Sequence, residues 1–77
     1  MDRKLRKRVL DFANDGETEY PLYTHLCSKG TLDGWDVYRP DPAEFMIIGL
    51  PQYVLVRGDE IRWNSREEQE ILQSRER

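Results

Sequence analysis

The 77-residue chain is expected to be a single small α+β domain, with helices packed on a β-hairpin or a three-stranded antiparallel sheet. Three observations predict it. The apolar residues near the N-terminus recur at helical spacing, those between Tyr53 and Trp63 alternate around a Gly–Asp pair, and a capping signature follows at once. With 38% hydrophobic residues, the chain is long enough to fold alone but has little core to spare.

From Asp2 to Ala13, Leu5, Val9 and Phe12 fall at i, i+4 and i+7, joined by Leu10 and Ala13, which predicts an amphipathic helix ended by Asn14, Asp15 and Gly16. Thr18 to Lys29 is read as a short second helix, because Pro21 stands near a start, Leu22 and Leu26 are four apart, and Gly30 suits a C′ position. A strand over 19–23 is the alternative. Asp33 and Gly34 form a turn, after which Trp35, Asp36, Val37 and Tyr38 alternate as a short edge strand.

Asp41, Pro42 and Glu44 spell a helix start, and Gly49 and Pro51 a stop, so 42–48 is expected to be two helical turns. In the hairpin that follows, a two-residue turn at Gly58–Asp59 sets Arg57 opposite Glu60, Val56 opposite Ile61, Leu55 opposite Arg62 and Val54 opposite Trp63. One face then carries Val54, Val56, Ile61 and Trp63. Slipping the register by one residue puts charges under that face, so the pairing is well specified. Ser65 and Glu68, or Asn64 and Glu67 one residue earlier, give a capping box for a last helix running to about Ser74. Residues 1–2 and 75–77 are expected to fray.

The formal net charge of −3 hides an asymmetry. Residues 1–8 carry five basic side chains and one acidic; residues 9–64 carry four basic and ten acidic. An acidic body repels a phosphate backbone at long range, so any nucleic-acid contact would run through the first helix, at Arg3, Lys4, Arg6 and Lys7. A charged helix exterior is also simply a solvated face. No run of about 18 apolar residues spans a bilayer, and no signal peptide is legible, so no membrane is involved and a cytoplasmic location is expected. The single Cys27 agrees with a reducing compartment.

His25 and Cys27 are each the only residue of their kind, too few for a zinc site of the usual His and Cys ligands. As a nucleophile and base they would diverge on a helix and share a face only on a strand. The acidic residues are dense enough for chance pairs, and the Walker, GxGxxG and GxSxG patterns are missing, so no catalytic residue, metal or cofactor is assigned. Arg57, Gly58 and Asp59 spell a tripeptide that resembles the integrin-binding motif, at a place where turn chemistry alone accounts for the glycine and the aspartate.

The element order, two helices, a short third helix and a hairpin, resembles a winged helix-turn-helix, a topology that implies a third helix in the major groove and the hairpin as wing. That third segment, 43–48, holds no Arg, Lys, Asn or Gln to bond a base edge, and the connection into it is long. The reading preferred is a non-enzymatic protein-binding module, regulatory or inhibitory, acting as a monomer or weak homodimer. Its expected contact residues are Trp35, Tyr38, Tyr53, Leu55 and Arg57, since exposed aromatic and Arg groups anchor interfaces. If the last helix covers Tyr53, Leu55 and Arg62, that surface is lost.

Overall fold

The computed structural model describes residues 2–16, 19–42 and 52–75. Asp2 caps the first helix, α1 (Arg3–Ala13), its carboxylate accepting the Lys4 amide at 3.1 Å. Asp15 and Gly16, at φ of 53° and 79°, turn the chain out of it. Four strands follow: β1 (Tyr23–Leu32), β2 (Trp35–Pro42), β3 (Val54–Arg57) and β4 (Glu60–Trp63), and then a second helix, α2 (Arg66–Arg75). The strands form one antiparallel sheet in the order β1-β2-β3-β4, so the architecture is α+β.

The β3–β4 hairpin has the register that the alternation predicts: Arg57 with Glu60, Val56 with Ile61, Leu55 with Arg62, Val54 with Trp63. Gly58 sits at a φ of 59°, which suits the first central position of a tight hairpin turn. The turn at Asp33 and Gly34 is also as expected, with φ of 51° and 83° at its two central residues.

Two expectations change. The stretch read as a second helix is the longest strand of the sheet, paired along β2 from Tyr23–Pro42 to Leu32–Trp35. The physical reason lies in the Asp33–Gly34 turn: a turn of that type demands a strand on both sides, and Thr31 and Leu32 supply one. Gly30, at a φ of 83°, is no helix stop; it lies where the register shifts between Ser28 and Thr31, as glycine does in many bulges. With β1 in place the sheet has four strands rather than three, and the order of elements is no longer that of a winged helix. Of the helix expected over 42–48, Pro42 closes β2 and the remainder lies outside the described residues. Among the described residues β3 pairs with β2 at Asp36 to Tyr38, so Pro40 and Pro42 lie where β1 is the one described neighbour strand, a place that tolerates proline.

The sheet is buried on both faces. Against α1 lie Tyr38, Val54 and Val56 with Val9, and Leu5, Phe12, Leu26, Ile61 and Trp63 pack around them. Phe12 meets Trp63 with ring centroids 5.5 Å apart. Against α2 lie Leu32, Trp35, Val37, Tyr53 and Leu55, closed by Leu72. Alternation along β3 therefore sends Val54 and Val56 to one helix and Leu55 to the other. Among the described residues, one helix packs on each face.

Two asparagines fasten the chain where strands give out. Asn14 accepts the Tyr23 amide at 2.7 Å and donates to the Tyr23 carbonyl at 2.9 Å, as a paired strand would. Asn64 does the same for Tyr53, its side chain taking the amide at 2.7 Å and its own backbone N–H donating to the carbonyl at 2.9 Å. Ser65 and Glu68 form the capping box: the Glu68 amide donates to Ser65 Oγ at 3.2 Å and the Ser65 amide to Glu68 Oε1 at 2.8 Å.

Candidate interaction surface

The contact residues expected from sequence do not form a surface. Trp35, Tyr38, Tyr53 and Leu55 are all buried, Tyr53 and Leu55 completely. The correction follows from two-sided burial: a small domain with a helix on each face of its sheet uses its large side chains as core. Arg57 alone stays exposed, and it is occupied at home. Its guanidinium lies 4.2 Å from the centre of the Trp35 ring and 3.5 Å from Glu60. Arg62 approaches the same ring at 4.5 Å. The two cations lid Trp35, which explains how an indole at the sheet margin is kept from water.

Asp59 of the Arg57–Gly58–Asp59 turn is likewise engaged, its carbonyl accepting from Arg8 Nη2 at 3.3 Å and its carboxylate 3.7 Å from Nη1. His25 and Cys27 lie two apart on β1, His25 exposed with Nδ1 2.9 Å from Thr24 Oγ1, and Cys27 half-buried. Among the described residues no group of three or more His, Cys, Asp or Glu side chains could hold a metal ion. No described helix is long and apolar enough to cross a membrane.

What the structure does bring together is charge around β1. On the α1 side of the sheet, Arg3, Arg6 and Lys7 line a groove of about 530 Å³ between the helix and the start of β1, floored by Leu10, Pro21 and Tyr23. These are three of the four cations read from the sequence. Helical spacing explains it: positions 3, 6, 7 and 10 share one side of α1, whereas Lys4 falls a quarter-turn or more away and Arg8 reaches the β3–β4 turn. Arg6 donates through Nη2 to the Thr24 carbonyl at 3.0 Å, and Asp11 also borders the groove.

On the α2 side, a cleft of about 600 Å³ is lined by Lys29, Arg39 and Arg75 above Leu72. Arg39 pairs with Asp41 at 3.3 Å, and Arg75 Nη1 donates to the Thr31 carbonyl at 2.8 Å. The two clefts lie on opposite faces of the sheet and share β1, the strand with β2 on one side and no described strand on the other. Six cations of an otherwise acidic chain thus lie around β1, which has no described strand on its outer side. The sequence lists all six, but Lys29, Arg39 and Arg75 are far apart in the chain, and only the pairing of β1 with β2 under α2 gathers them.

Exposed apolar groups continue this edge. Tyr20 is 83% and Leu22 43% exposed, just before β1. No family model, curated protein or solved structure matches this chain. Its function has to be argued from these residues.

Proposed function

We propose that the chain is a small non-enzymatic protein-binding module, regulatory or inhibitory, that occupies the surface of a partner protein through the β1 edge. One observation carries this reading: cations from α1, β1, β2 and α2 gather around β1, which has no described strand on its outer side and is preceded by exposed Tyr20 and Leu22. A mixed cationic and apolar margin suits a polypeptide, which offers carboxylates, main-chain groups and apolar side chains together. In this reading the contact surface is the β1 edge, since Trp35, Tyr38, Tyr53 and Leu55 are buried.

The second reading is nucleic-acid binding through the basic first helix, and the clustering of Arg3, Arg6 and Lys7 in one groove is the observation in its favour. Against it stand the net charge of −3 and the apolar floor of that groove, neither of which helps to hold a phosphodiester backbone. The 77-residue chain carrying a tag should recover one stoichiometric protein from its source cells, resistant to nuclease, and the triple variant Arg3→Glu, Arg6→Glu, Lys7→Glu should lose it. Random duplex is expected to run unretarded with the wild-type chain at moderate salt. Salt-dependent retardation that disappears when Arg3, Lys4, Arg6 and Lys7 become Ala would replace the protein-binding reading with the second.

A further inference from the structure

We infer that the partner supplies an acidic, extended segment that adds to the sheet as a fifth strand along β1. The inference rests on the protein-binding reading and names the chemistry of what is bound. β1 is ten residues long, and the β-spacing of about 3.3 Å per residue makes its open side roughly 30 Å. Both ends of that side are already met by side chains acting on the backbone: Asn14 at Tyr23, Arg6 at Thr24, and Arg75 at Thr31. Between them runs 25–30, a span of the length that peptide addition to a sheet edge commonly uses.

Charge selects the occupant. Side chains of an added strand point alternately to the two faces of the sheet. The first face carries Arg3, Arg6 and Lys7 of α1 beside the start of β1, and the second carries Lys29, Arg39 and Arg75 beside α2. A strand with carboxylates on both faces complements the charge of both clefts; a basic one opposes it and a purely apolar one makes no use of it.

A second copy of this chain is the obvious competitor for an open strand, and the same charges oppose it. Pairing two β1 strands antiparallel about a two-fold axis normal to the sheet puts both α1 helices, each with Arg3, Arg6 and Lys7, on the same face of the joined sheet. Like charges so placed disfavour the pairing. An acidic partner removes the repulsion that a copy creates.

The probe is a fluorescein-labelled octapeptide, Thr-Glu-Glu-Val-Val-Glu-Glu-Thr, titrated into the full chain at low salt and followed by anisotropy. Two analogues are N-methylated on alternate amides, one set for each edge of the strand, and a third has Lys for every Glu. Strand addition expects saturable binding, a loss of about tenfold or more for one methylated set and not the other, and no binding of the Lys analogue. Amide resonances of 25–30 should shift on binding. Equal binding of both methylated peptides, with binding still abolished by the Arg3→Glu, Arg6→Glu, Lys7→Glu variant folded by circular dichroism, would overturn strand addition and leave the cationic edge as the contact surface. Binding indifferent to that charge reversal, or no binding of the acidic peptide, would remove the charge-selected partner itself. Concentration-dependent dimers of the free chain in sedimentation would assign the edge to a second copy instead.

Discussion

Arg62 and Glu68 join the last strand to the last helix by two parallel hydrogen bonds, Nη1 to Oε1 at 2.7 Å and Nη2 to Oε2 at 2.8 Å. The same carboxylate accepts the Ser65 amide, so one side chain both caps α2 and anchors it to β4. The Arg62 guanidinium, first, and the Ser65 bonds hold the Glu68 carboxyl down at about 2, against the desolvation that raises it. A carboxyl lowered in the folded state contributes stability above its unfolded value near 4.5 and loses it as the pH falls toward 2. The shift is linked to at most about 3 kcal/mol, and since the Arg62 side chain is 40% exposed, screening reduces the expected share to about 1 to 2 kcal/mol. Urea unfolding of Glu68→Gln should show that deficit at pH 7 and about 40% of it at pH 3, inside the window between the two values. A deficit that does not change with pH would mean the pair contributes nothing through its charge.

Leu72 is buried while its neighbour Ile71 is 47% exposed, although the sequence offers both as the apolar residues of α2. Truncating Leu72 to Ala opens the α2 face over Tyr53 and Leu55, and a cost of about 2 to 4 kcal/mol is expected. Ile71→Ala should stay within about 0.5 kcal/mol, the usual range for surface sites. Equal effects from the two, measured by chemical denaturation, would place the helix in the wrong rotation.

The pair also marks how far the sequence could be read. Local signals were legible: the capping box at Ser65 and Glu68, the helix from Arg3, and the register across Gly58 and Asp59 each depend on neighbours in the chain. β1 was not, because Leu22 and Leu26 at i and i+4 imitate a helical stripe while the partners of Tyr23 to Ser28 lie 10 to 19 positions further along the chain. The signal that finds it is Thr31-Leu32-Asp33-Gly34-Trp35, a two-residue turn that needs strands on both flanks as much as Gly58–Asp59 does. The surface was misplaced for the same reason. Tyr53 and Leu55 count as a spare outer face only while one side of the sheet is covered, and in the structure they are buried in a cluster with Leu72 of α2.

Gly58 holds the β3–β4 turn at a φ of 59°, and a Cβ there would meet nothing within 4 Å. Substitution is therefore limited by the backbone alone. Gly58→Ala should cost about 1 to 2 kcal/mol, the strain of an L-residue in that region, with the fold unchanged. A neutral result in thermal unfolding would show that the turn relaxes to another type without disturbing the Arg57–Glu60 pairing.

Asn14 bonds both main-chain groups of Tyr23, so its amide stands where the backbone of a neighbouring strand would stand. Asn14→Asp keeps the acceptor and loses the donor; Asn14→Ala loses both. At about 1 kcal/mol for a typical hydrogen bond, Ala should destabilise the chain by about 1 to 2 kcal/mol and Asp by about half as much, unless the new charge finds Arg3, Arg6 or Lys7 around the same groove and recovers the difference. Hydrogen exchange separates a local from a global effect. Faster exchange at Tyr23 in Asn14→Ala, with the amides of Val54 and Val56 still as slow as in the wild type relative to global stability, is the expected pattern, because the start of β1 is held by this side chain and the centre of the sheet is not. Acceleration spread evenly over all four strands would mean that Asn14 instead secures α1 to the sheet as a whole.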